Sequence, residues 1–145
     1  MKSFLTPVCS PAFQAGARLR TAQDLLRVAL LRNPRQKWRP WFLAAGLDAD
    51  EPASGPIYDD AGLLLQAAAA GEGVALARTA LIGDDLAARR LVVLSDVQVE
   101  DSYGWFLVWR HTPRVPAADR EAFHRWIEAE AARVSPDQPH VAVEE

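Results

Sequence analysis

The stretch from Ile57 to Leu76, IYDDAGLLLQAAAAGEGVAL, constrains the fold of this chain more than any other. It reads as a short strand, a helix opened by two aspartates, a glycine stop and a second strand. Asp59 or Asp60 can cap the helix, because a carboxylate accepts a hydrogen bond from a backbone N–H that the first turn leaves without a partner. The negative charge also suits the positive end of the helix dipole. Leu63, Leu64 and Ala67 share one helical face, which Ala70 extends. Residues 66–70 have high helix propensity, and their small side chains allow close approach to a sheet. Gly71 stands where a left-handed residue ends a helix at low steric cost. Gly73 leads into Val74, Ala75, Leu76 and Ala77, an apolar run without polar alternation that suits a strand covered on both faces. The segment predicts a βαβ unit.

The rest of the chain alternates in the same way. Phe4 to Cys9 reads as a strand, and Pro11 starts a short helix near Ala12 to Ala15. Thr21 with Asp24 makes a partial capping box for a helix to about Arg27. Val28 to Leu31 is a short strand, RNPRQKWR a basic loop, and Trp38 to Ala45 a helix stopped by Gly46. Asp48 to Pro56 is a loop rich in Asp, Pro, Gly and Ser. Thr79 is placed to cap a helix through Arg89, with strands expected at Leu91–Leu94 and Trp105–Trp109. A long amphipathic helix runs from Ala117 to Val134, and a tail rich in Pro and acid follows from Ser135. Strands alternating with helices predict an α/β fold with a largely parallel sheet flanked by helices.

Composition excludes several functions. At 145 residues and a formal charge of −3, the chain suits one domain with a normal core and no dedicated nucleic-acid surface. Cys9 is the single cysteine, which rules out an internal disulfide and reads as a small buried hydrophobe. His111, His124 and His140 lack metal-ligand spacing, so neither a metal nor another cofactor is expected. No nucleophile elbow or phosphate loop is present, and Asp84–Asp85 sit in an exposed helix, so the chain does not read as an enzyme. The basic run Arg32, Arg35, Lys37 and Arg39 reads as a solvated loop, and Trp38 and Trp41 as packing. No apolar run reaches membrane-span length. In MKSFLTPVCSPAF the apolar stretch is interrupted by Thr6 and Pro7, and Val8 precedes Cys9. That is a poor secretory signal, and a cytoplasmic protein is expected.

A resemblance follows from pieces spread over the chain: FLTPVCSPAF, LRTAQDLL, WRPWFLAAGL, YDDAGLLLQAAAAGEGVALAR, DDLAARRLV, YGWFLVW and AFHRWIEAEA. In this order and spacing they resemble the C-terminal part of the effector-binding domain of LysR-type transcriptional regulators, in the branch of the glycine-cleavage activator and the β-lactamase regulators. The resemblance implies a type II periplasmic-binding-protein-like fold of two α/β subdomains with an effector cleft between them. On that mapping, residues from about 4 to 94 form the second subdomain. A crossover strand and the C-terminal helix occupy about 102–134, and 135–145 is a flexible tail. The winged helix-turn-helix and most of the first subdomain are missing from the match, so direct DNA binding by this chain is not expected.

The resemblance also weights the site candidates. Asp59, Asp60 and Ala61 lie at a helix N-terminus bordering the implied cleft. Their bland reading is helix capping; their functional reading is that one carboxylate caps while the other reaches a ligand. Two carboxylates favour a small-molecule effector with hydrogen-bond donors, an amine- or hydroxyl-bearing compound. Tyr103 and Trp105 come next, on the aromatic segment the resemblance places near the cleft, against ordinary packing. On the last helix Phe123, Trp126, Ile127, Ala131 and Val134 form an apolar stripe. Left bare it would drive association, so a homodimer or swapped oligomer is expected, or a helix folded back on its own subdomain. The reading is an effector-sensing module of a regulator. The alternatives are a free-standing module that pairs with a regulator's subdomain, or a small solute-binding protein.

Overall fold

The computed structural model describes residues 3–110 and 114–134. They divide into two compact units, Phe4–Asp101 and a second one comprising Ser3 and the described residues from Ser102 onward. The tail from Ser135, together with His111 and His140, lies outside the described residues.

In the first unit β1 (Phe4–Cys9) is the centre of the sheet. It runs antiparallel to β3 (Val74–Arg78), pairing Leu5 with Arg78 and Val8 with Ala75. On its other side it meets β4 (Val92–Val93) and β5 (Val99–Glu100), both antiparallel. Beyond β3 lies β2 (Leu30–Leu31), parallel to it. Four strands therefore share one direction and β1 opposes them. The expected largely parallel character holds for strand direction, whereas three of the four strand pairings are antiparallel, because the reversed strand sits in the middle.

Pro7 explains why the far side of β1 is split between two strands. Its carbonyl accepts from the Leu94 N–H at 3.0 Å, so the N–H it lacks would face the same side. A strand cannot pair continuously past a missing donor. β4 and β5 pair with the two ends of β1, and Thr6 Oγ1 reaches the Ser95 carbonyl at 3.4 Å in the gap.

Strand alternation sends side chains to two cores, one on each face. Leu5, Cys9, Leu30, Val74 and Leu76 pack with Trp38, Trp41 and Phe42 of α2 (Trp38–Ala44). The two indole N–H groups donate to the carbonyls of Leu31 (3.1 Å) and Val97 (2.9 Å), which satisfies both buried tryptophans as packing residues. On the opposite face Val8, Leu31, Ala75 and Ala77 meet α3 (Ala61–Ala69) through Leu64, Leu65, Ala67 and Ala68. The buried stripe of α3 differs from the expected one by a rotation: Leu65 and Ala68 join Leu64 and Ala67, while Leu63 and Ala70 face solvent.

The central βαβ unit is present with a minimal first strand. Ile57 forms a single parallel bridge with Arg32, and Arg32 clamps the preceding loop by donating to the carbonyls of Pro52 and Gly55. α1 (Pro11–Ala17) is capped by Ser10. Residues 22–27 form a 3-10 turn rather than an α-helix. There the N–H groups of Arg20 and Thr21 donate to Asp24, at 2.8 and 2.9 Å, and hold its carboxyl below the usual range. The expected helix from Thr79 to Arg89 is broken into a 3-10 turn at Thr79–Leu81 and α4 (Gly83–Ala87). Gly83, a poor helix former, stands at the break, and Thr79 is the first residue of the turn while Arg78 occupies the cap position. The expected strands at 28–31 and 91–94 shorten to β2 and β4.

In the second unit α5 (Ala117–Val134) has the expected bounds. The expected strand at Trp105–Trp109 is not formed: residues 103–110 carry no regular structure. A strand needs a partner ladder for its backbone, and the described residues of this unit contain no second strand. Trp109 instead sets its ring edge-on to His124 of α5, with centroids 5.6 Å apart.

Candidate functional site

The pole of the sheet where β3 ends and α3 begins gathers the site candidates of the first unit. Asp60 is the N-cap of α3: its backbone is extended, and its Oδ1 accepts from the Leu63 N–H at 2.9 Å. Gly62 makes room for this carboxylate, since a Cβ there would stand 3.0 Å from Oδ1. Asp59 is exposed and makes no hydrogen bond or ion pair among the described residues. The N–H groups of Ala61 and Gly62 open the helix, and the first intrahelical bond runs from the Leu64 N–H to the Asp60 carbonyl at 3.1 Å. One carboxylate thus closes the helix, as the bland reading requires. The other, with two first-turn donors beside it, stays open to solvent and can meet a ligand that both donates and accepts.

At the same end of the sheet lies a constellation that the sequence does not reveal. Arg78, the last residue of β3, pairs with Asp101 at 2.5 Å, with the Asp101 side chain 1% exposed. Gln36, 2% exposed, completes it with its amide turned to satisfy both neighbours. It donates to the Leu76 carbonyl and accepts from the Arg78 guanidinium, at 3.1 Å each. These residues come from three distant points of the chain, so no local pattern announces them. Cys9 lies in the core, and burial pushes its thiol up to about 11, the behaviour of an inert packing residue.

Asp59, Asp60 and Ala61 therefore stand together in the first unit, while Tyr103 and Trp105 belong to the second. Both aromatics are about half exposed, at 52% and 46%. They leave the boundary at Asp101 on a segment without regular structure.

Residues 1–132 match the LysR substrate binding domain. The chain belongs to that family. It is 36% identical over 132 residues to the glycine cleavage system transcriptional activator of Escherichia coli (strain K12), covering 89% of this chain and 43% of that protein. It is also 36% identical over 125 residues to the transcriptional activator AmpR of Pseudomonas aeruginosa, covering 85% of this chain and 41% of that protein. Among solved structures, the AmpR effector-binding domain of Citrobacter freundii superimposes with a TM-score of 0.74 at 29% identity, covering 91% of this chain and 66% of that one. The P. aeruginosa AmpR effector domain gives 0.69 at 29% identity, covering 92% and 63%. The chain thus spans less than half the length of its curated relatives. The AmpR effector-binding domains share this fold over about nine-tenths of the chain. The relatives are regulators of transcription by name, and among the described residues no helix is long and apolar enough to cross a membrane.

Proposed function

We propose that this chain is part of the effector-sensing module of a LysR-type transcriptional regulator. In this reading Phe4–Asp101 is one wall of an effector cleft, and the chain carries no catalysis of its own. The observation that carries the reading is the family match over residues 1–132. A small molecule bound at this wall would shift the regulator between conformations, and that shift would be the signal to the rest of the protein.

Asp59, Asp60 and Ala61 are the proposed effector-contacting residues, with Tyr103 and Trp105 as further candidates. A structure of the C. freundii effector-binding domain carries three substitutions, threonine to valine, serine to alanine and tyrosine to phenylalanine. Each removes a hydroxyl at nearly constant shape. The substituted serine and tyrosine are 43 residues apart in that chain, and Asp60 and Tyr103 are 43 apart in this one. That common interval is one ground for keeping both Asp60 and Tyr103 among the candidates. With carboxylates at Asp59 and Asp60, the ligand presents a donor here, an amine or a hydroxyl.

A thermal-shift screen of the chain against small amines, amino acids and polyols tests the reading. Saturable stabilisation by a donor-bearing compound is expected, weakened roughly tenfold in Asp59→Asn, where the carboxylate charge is removed without disturbing the cap. An undiminished response in both Asp59→Asn and Asp60→Ala would remove these residues from the site.

A further inference from the structure

At the opposite end of α3 from Asp60, about 13 Å away for nine residues at 1.5 Å each, the first unit holds an open cavity of about 930 Å³. It lies where the Ser10 N–H donates to the Ala68 carbonyl at 3.1 Å, between the C-terminal end of α3, the start of α1 and the turn that follows α4. Ser10, Phe13, Ala17, Ala70, Arg89 and Arg90 are among its walls. Among the described residues no acidic one lines it.

Two features of this lining point to an anionic ligand. Arg89 makes no side-chain hydrogen bond or ion pair among the described residues, so its guanidinium is available at the cavity. Arg90 gives one edge to Asp85, Nε to Oδ1 at 2.6 Å, and keeps further donors on its fork. The second feature is backbone conformation. Arg89 has φ +55°, in the left-handed region that favours glycine. Its N–H and that of Arg90 close the end of α4 onto the carbonyls of Leu86 and Asp85, a closure that glycine would serve at lower cost. An arginine kept in a position suited to glycine is a local cost set against something else. Among the described residues one other non-glycine has positive φ, and it is Arg18, next to the wall residue Ala17.

We propose that this cavity is a second small-molecule site, separate from the Asp60 pole, for a compact organic anion. Its carboxylate or phosphate is held by the Arg89 and Arg90 guanidinium groups. Ser10 Oγ, which accepts from the Phe13 N–H at 3.2 Å, has its proton free to donate to the same head group. Phe13, Ala17 and Ala70 provide an apolar floor for the ligand's body. A volume of this order suits a molecule larger than an inorganic ion.

The test is thermal shift of the whole chain with benzoate, phenyl phosphate and neutral benzamide, at matched ionic strength because screening alone moves exposed charges. Benzoate and phenyl phosphate are expected to raise Tm saturably and benzamide to leave it unchanged; the tighter of the two anions identifies the preferred head group. Arg89→Gly is expected to raise the Tm of the free protein, as the left-handed strain is relieved, and to weaken the anion response roughly tenfold. Arg89→Gln keeps the strain and is expected to lose the anion response all the same. Asp60→Ala is expected to leave the anion response intact, which separates this site from the effector reading. No saturable response to either anion, an equal response to benzamide, or an undiminished response in both Arg89 variants would overturn the proposal.

Discussion

The Asp101 carboxylate is almost wholly withdrawn from water against Arg78, whose own side chain is 14% exposed. Two charges removed from solvent gain little net stability as a pair, but breaking the pair leaves the other charge without its counter-ion in a largely buried place. Asp101→Ala is therefore expected to lower unfolding free energy by about 3 kcal/mol. The double variant Arg78→Met, Asp101→Leu should be milder than Asp101→Ala alone, as urea denaturation would show. Equal or larger loss in the double variant would mean that the pair contributes more than its own desolvation. Cys9 gives the second residue-scale prediction. Its thiol is raised from 9.0 to about 11 by burial, partly offset by a backbone hydrogen bond from Gln14. A group with raised folded pKa lends stability that is fully present below its unfolded value and is lost as pH rises through the folded one. Between pH 9 and 11 wild type should lose stability faster than Cys9→Ala, by an amount on the order of 2 kcal/mol over the window. Parallel curves for the two proteins would show that Cys9 does not titrate there.

At the scale of the element, α3 shows how both ends of a helix can be read from sequence. Asp60 caps the start, and Gly71 with φ +83° ends it. The Gly71 N–H donates to the Ala68 carbonyl and the Glu72 N–H to that of Ala67, both at 3.1 Å, a Schellman closure. Gly71→Ala would force a side chain into the left-handed region and set its Cβ 3.4 Å from Ser10 Oγ. A loss of about 1 kcal/mol is expected in thermal or urea unfolding, and no loss would show that the turn relaxes freely. These ends were legible because a cap is a bond between neighbours in sequence. The same locality made the start of α1 at Pro11 readable. What lay beyond reading was set by distant partners. Pro7 divides the edge into β4 and β5 only because both lie beside β1. Arg78 meets Asp101 across 23 residues, and residues 103–110 are apolar enough for a strand but lack a ladder to join. The buried face of α3 fell between these cases: its period was evident, but the rotation that buries Leu65 and exposes Leu63 was set by the sheet.

For the whole molecule, the second unit leaves unusually large apolar side chains in solvent. On α5 Phe123 and Trp126 are 50% and 56% exposed, with ring centroids 5.7 Å apart. On the segment before it Phe106 and Val108 are more than four-fifths exposed. Exposed apolar surface of this kind promotes association, since each large side chain withdrawn from water contributes about 1.5–3 kcal/mol. We propose that the isolated chain self-associates through α5. Its scattering mass at micromolar concentration should exceed the 15.9 kDa of one chain. Phe123→Ser with Trp126→Ser should return it toward that value. Both positions are already wet, so the fold of the first unit should be unaffected and its Tm unchanged. A monomeric mass for wild type would sink the idea. So would an oligomer that the double substitution leaves intact, because association would then run through a surface other than α5.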